Sequence, residues 1–162
     1  MTMTLVETIT VGSGGASLIT FSSVPQTGID LLVTISGRST GSSNTHFELY
    51  GFGQAWKRLQ GNGSSVSAQD STSYGTMSGL TIPGSSTASN TFGNASIYIS
   101  NYTSTGSKPF RVDAVGENNA STSYQSVVAG TLTGNTSIST LNIATSAAAF
   151  AENSTISLYI IS

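Results

Sequence analysis

Apolar residues recur at every second position along most of this chain, and the three-to-four spacing of an amphipathic helix hardly appears. Leu5, Ile9 and Val11 begin the pattern, and the turn at 12–15 (Gly-Ser-Gly-Gly) ends it. A second run over 16–21 stops at Val24-Pro25. Residues 29–36 are almost continuously apolar (Leu31, Leu32, Val33, Ile35), which predicts a strand covered on both faces. His46-Phe47-Glu48-Leu49-Tyr50 alternates cleanly. Further strands are predicted at 55–59 around Trp56, at 77–82 before Pro83-Gly84, and at Ile97 and Ile99. The same alternation appears at Phe110, Val112 and Ala114, from Tyr124 to Gly130, at Ile138 to Ile143, and from Ile156 to Ile160. Residues 61–73 hold Gly, Asn, Ser and Asp with almost nothing apolar and read as a long surface loop. The Ala-rich stretch 144–151 is the one place where a helical turn is expected. About nine or ten short strands at this spacing predict an antiparallel β-sandwich or barrel. No break in composition divides residues 1–162, so a single domain is expected.

Composition narrows what such a domain can do. Charged residues are 7% of the 162, against about a quarter in an average domain. With 37% hydrophobic residues and a net charge of −2, the chain is expected to fold, because disorder needs low hydrophobicity combined with high charge. Arg38, Lys57, Arg58, Lys108 and Arg111 are scattered, and the adjacent pair Lys57-Arg58 points to opposite faces of a strand. That argues against nucleic-acid binding. The absence of cysteine removes disulfides, thiolate nucleophiles and cysteine zinc sites. No cofactor is expected. The first residues lack the basic and apolar regions of a secretion signal, and no apolar run approaches a membrane span. Synthesis in the cytosol without a membrane partner is the expectation.

Candidate chemistry is sparse. His46 and Glu48 share a strand face, but one histidine and one carboxylate fall short of a metal or acid–base site, and a polar pair on a solvent face is expected. Asp113 and Glu117 are the best candidates for a glycosidase carboxylate pair, but Asp113 is predicted to point outward and Glu117 to lie in a turn. Asp30 and Asp70 read as local turn formers. Tyr50, Phe52, Trp56, Tyr74, Tyr98, Tyr102 and Tyr124 are suited either to stacking on sugars or to packing at core edges and subunit contacts. No catalytic residue is assigned and an enzyme is not expected. Ser and Thr form about a third of the chain, and a hydroxyl surface is cheaper to desolvate against another protein than a charged one.

An ordered series of segments runs along the chain: 21–27 (Phe-Ser-Ser-Val-Pro-Gln-Thr), Asp30-Leu31, Ser36-Gly37-Arg38-Ser39, 61–65 and Ile82-Pro83-Gly84. It continues through 90–93, 97–102 with Lys108, Glu117-Asn118-Asn119, and 154–160. This series resembles small β-rich virion structural proteins of tailed bacteriophages, including cyanophages. Gly28 and 131–133 depart from it, since aromatics are expected there. The resemblance implies a jelly-roll-like β-sandwich located in the virion, without catalytic residues. Its role is expected to be capsid decoration (cement), bridging subunits of the major capsid protein or contacting other virion proteins. A tail or head appendage that contacts a host glycan is the alternative. A homotrimer is expected in either role, because icosahedral shells offer three-fold junctions. Trp56, Arg58 and Tyr74 border the longest polar segment and belong to types enriched at interface hot spots, so they are the predicted interface residues.

Overall fold

The structure, a computed structural model, describes residues 1–71, 80–117 and 122–162. Twelve strands form among the described residues: β1 (Met3–Thr10), β2 (Leu18–Phe21), β3 (Asp30–Gly37), β4 (Thr45–Tyr50), β5 (Gly53–Gly61) and β6 (Val66–Ser71), then β7 (Thr81–Ile82), β8 (Gly93–Ile99), β9 (Lys108–Glu117), β10 (Ser123–Thr133), β11 (Leu141–Thr145) and β12 (Thr155–Ile161). They build an eight-stranded sheet in the order β1-β12-β3-β8-β9-β10-β5-β6 and a four-stranded sheet in the order β2-β11-β4-β7. Every pairing is antiparallel. The fold is an antiparallel β-sandwich.

Within it, β1-β12-β3-β8 and β2-β11-β4-β7 form two four-stranded halves between which the chain crosses repeatedly: β1 to β2, β2 to β3, β3 to β4, β7 to β8 and β11 to β12. That is jelly-roll connectivity. Two hairpins are inserted into it. β5–β6 leaves after β4 and β9–β10 leaves after β8, and the two join side by side to extend the larger sheet beyond β8.

Strict alternation explains the core. Leu31, Val33 and Ile35 of β3, Ala95, Ile97 and Ile99 of β8, Phe110, Val112 and Ala114 of β9 and Ile156, Leu158 and Ile160 of β12 all point inward and are buried. They join Ile19, Phe21, Phe47, Leu49, Leu141 and Ile143 of the smaller sheet in one cluster. The apolar run at 29–36 is not covered on both faces: Leu32, Thr34 and Ser36 point outward and are half-buried.

The larger sheet also curls round β7. A Cβ on Gly116 would stand 2.6 Å from the Thr81 carbonyl oxygen, and one on Gly93 would stand 2.8 Å from the Pro83 ring. Glycine at these two positions lets β8 and β9 pass close over the β7 edge. Beyond that bend, the inner face of β5 lies against the back of the smaller sheet: Gln60 Nε2 donates to Thr81 Oγ1 (3.3 Å), which stands beside His46 in the β4–β7 register.

Two expectations are corrected. Residues 61–71 of the expected 61–73 loop are not open but hold most of a hairpin, and 72–73 lie outside the described residues. Asn62 Oδ1 accepts the Ser64 and Ser65 amides (3.1 and 2.8 Å), Gly63 takes φ 89°, and β6 pairs with β5 from Val66 to Ser71. The Ala-rich segment 144–151 forms no helix. Phe150, fully buried, bridges Ala16 and Ser39, and backbone bonds from Thr40 to Ala149 and from Ala151 to Arg38 hold the chain extended. Tertiary pairing outweighs the intrinsic preference of alanine.

Candidate functional site

Trp56 and Arg58 alternate inward on β5 with Gln54 and Gln60, and each is only 6% exposed. Both are buried within their own chain, which places them in the fold's interior rather than on the exposed surface expected of interface residues. Tyr74, the third predicted interface residue, lies outside the described residues. The physical reason is the curl of the sheet, which folds the inner face of β5 over the back of β4 and β7. Arg58 Nη2 donates to Gln69 Oε1 on β6, and Gln60 Nε2 reaches Ser126 Oγ (3.1 Å) on β10. A polar layer thus lies beside the apolar core.

The same layer covers the back of β4. Glu48 is 7% exposed and His46 is half-buried, so this pair does not sit on a solvent face. Burial pushes the His46 imidazole below its ordinary pKa, and the Arg58 charge pushes it further. Burial likewise lowers the Arg58 guanidinium.

The other acids are dispersed. Asp113 is exposed on β9, as expected, whereas Glu117 ends that strand rather than forming a turn. Four residues apart along a strand, their Cα atoms are about 13 Å apart. Asp30 and Asp70 act across strands rather than in local turns. Asp30 accepts the Tyr98 hydroxyl and the Asn101 amide (2.8 Å), while Asp70 pairs with Lys57 at 3.4 Å. The bond to Asp30, with burial adding to it, raises the Tyr98 pKa.

Two cations serve the fold, which their scatter in sequence did not reveal. Lys108 is 2% exposed and donates to the Gly106 and Thr136 carbonyls (2.8 Å each), tying two loops together. Arg38 donates to the Ala88, Ser85 and Thr87 carbonyls (2.7, 3.1 and 3.1 Å).

The outward face of the larger sheet has two distinct halves. Over β1-β12-β3-β8 two rows are polar and uncharged: register aligns Thr8, Ser157, Thr34 and Ser96 in one, and Thr10, Thr155, Ser36 and Asn94 in the next, while the rows on the other side hold Leu5, Tyr159, Leu32 and Tyr98, then Met3, Ile161 and Asp30. Thr8 Oγ1 and Ser157 Oγ lie 2.8 Å apart. Over the inserted strands the face turns aliphatic. Leu59 (58% exposed) stands between Ala68 and Val127 (49%), with Val66 (75%) and Val115 (45%) on the next row. A shallow groove of about 520 Å³ crosses this half, with the Lys57–Asp70 pair at its rim. Arg111 lies over the Tyr98 ring at 5.3 Å where the two halves meet.

Neither a scan against protein-family models nor a search of the curated proteins finds a match to the chain. Fold and surface therefore define the class: an all-β jelly-roll sandwich whose larger sheet presents, on its outward face, two hydroxyl-lined rows over the jelly-roll strands and exposed aliphatic side chains over the inserted ones.

Proposed function

We propose that this chain is a non-enzymatic structural protein of the tailed-bacteriophage virion, a capsid decoration protein that bridges neighbouring shell subunits. The observation that carries this reading is the pair of adjacent hydroxyl-lined rows on the outward face of β1-β12-β3-β8. These rows of Thr, Ser and Asn bear no charge across four hydrogen-bonded strands. Such a face gives up little hydration on contact and satisfies polar groups of a partner from either side, since a hydroxyl both donates and accepts. The ordered series of segments that resembles phage virion proteins supplies the partner class. A small module whose strands are tied on both sides adds buried area across a subunit junction, and an internally pressurised shell must separate that area before it opens.

Binding of the purified chain to particles that lack it tests this directly, with the site and copy number read by electron cryomicroscopy. Hundreds of copies on the shell are expected. About a dozen at one vertex or on the tail would indicate the appendage reading, and absence of particle binding would sink both. Thr34→Glu with Ser157→Glu, which puts two charges into the face, is expected to release the protein from the shell without lowering its melting temperature by more than a few degrees.

A further inference from the structure

We infer that the aliphatic half of the larger sheet, formed by the outward faces of β9, β10, β5 and β6, is the contact between two copies of this chain. The inference is independent of the virion reading. Among the described residues the fold gives these side chains no packing role: Leu59, Val66, Val115 and Val127 point away from the core and are 45–75% exposed. Together with Ala68 and Ala129 they form an apolar patch on the order of 400–500 Å², the size at which exposed apolar surface marks an interaction site.

Register identifies the occupant. The outward rows across β6-β5-β10-β9 are Asp70, Lys57, Ala129, Arg111; then Ala68, Leu59, Val127, Asp113; then Val66, Gly61, Gln125, Val115. A two-fold axis that lies in the contact plane, parallel to the strands and between β5 and β10, exchanges β5 with the partner's β10 and β6 with the partner's β9. Leu59 then meets the partner's Val127, and Val66 meets the partner's Val115. Asp70 meets the partner's Arg111, an opposite charge. Lys57 lies over the partner's Ala129, and Asp113 lies over the partner's Ala68, so each long side chain falls on a short one. Moving the axis onto β5 would set Lys57 against its own copy, and moving it onto β10 would set Leu59 against the partner's Asp113. An axis between β6 and β5 would also set Asp70 against the partner's Lys57 and Ala68 against Leu59, but it overlays two strands of each copy; the position between β5 and β10 overlays all four, with the apolar matches and the Asp70–Arg111 pair that an isologous contact requires.

Six residues on each of four strands span about 20 Å by 19 Å, roughly 400 Å² in projection per copy. At roughly 800 Å² for both copies together this is below the size of stable specific interfaces, so a weak, concentration-dependent dimer is expected. The two-fold contact differs from the trimer expected from the three-fold junctions of icosahedral shells.

Sedimentation of the full chain from micromolar to millimolar concentration tests the inference. A monomer–dimer equilibrium is expected, with the larger species at twice 16.5 kDa. Val127→Glu is expected to weaken it at least about tenfold, because it buries a charge against the partner's Leu59. Asp70→Arg and Arg111→Asp should each weaken it, and the doubly swapped chain should recover to within about threefold of the original affinity. Melting curves taken alongside show that each variant is folded, and glutamate at a half-exposed position is compatible with folding. A chain that stays monomeric throughout overturns the inference. So does any association, trimeric included, that is indifferent to Val127→Glu and is not restored by the charge swap.

Discussion

Tyr102 holds three loops at one end of the sandwich, and removing a single oxygen atom tests that role. The side chain is fully buried. Its hydroxyl donates to the Pro25 carbonyl and accepts the Gly28 amide (3.2 Å). Its own amide donates to the Ile29 carbonyl (3.1 Å), and its carbonyl accepts the Ile138 amide (2.9 Å). Tyr102→Phe keeps the ring, the packing and both backbone bonds, and removes only the hydroxyl. Gly28 is buried, so its amide loses its partner without gaining water, which costs about 1–3 kcal/mol. Pro25 is exposed, so its carbonyl rehydrates and adds little. The expected loss is about 2 kcal/mol. At about 2–4 °C per kcal/mol for a chain of this length, that lowers the melting temperature by about 4–8 °C. Calorimetry of Tyr102→Phe beside Tyr50→Phe, whose parent residue is 52% exposed, measures it. The Tyr50 variant should shift by less than about 0.5 kcal/mol. If Tyr102→Phe is equally silent, the hydroxyl does not tie the loops and the argument fails.

Arg58→Ala should lower stability by about 2 kcal/mol, because it strips the polar layer between β5 and β4 of a buried donor; a denaturant midpoint unchanged from the parent would place Arg58 back at the surface. Folding holds His46 below its ordinary pKa, so stability should be fully present above about pH 6.5 and decline as the pH falls through the folded-state value, a decline that His46→Gln removes in urea melts at about pH 7.5 and 5. Asn62→Ala removes the acceptor for the Ser64 and Ser65 amides and should cost about 1 kcal/mol, with faster amide exchange confined to β5 and β6.

What the sequence revealed followed from which faces are buried. Alternation located the strands of the jelly roll because each carries one apolar face against a common core, as Ile97 and Ile99 do on β8 or Ile156 and Leu158 on β12. It failed at β6, whose residues from Val66 to Asp70 are exposed on both faces and show no pattern to read. The one available signal was Asn62-Gly63, a dipeptide that turns hairpins. The sequence placed Arg58 opposite Lys57 on a strand correctly, but not the layer that covers it. That layer exists because Gly93 and Gly116 let the sheet bend round β7, a long-range consequence of two missing side chains. The inward position of Trp56 is part of the same bend.

The inserted hairpins separate folding from interaction. The eight strands of the jelly roll carry most of the core, and their inward positions are dictated by packing. The inward faces of β9, β10 and β5 serve the same purpose through Phe110, Val128 and Trp56. Their outward faces carry no such constraint, and a hydroxyl or a charge would serve solubility better than Leu59 or Val127. Truncation exposes the difference. Leu158→Ala removes a fully buried side chain and is expected to cost about 2–5 kcal/mol of folding free energy. Val127→Ala, at 49% exposure, should leave folding within about 0.5 kcal/mol. Any effect of Val127→Ala on self-association is then an effect on the interface alone, and that isolates the outward face of the insertions as the part of this molecule shaped by contact rather than by folding.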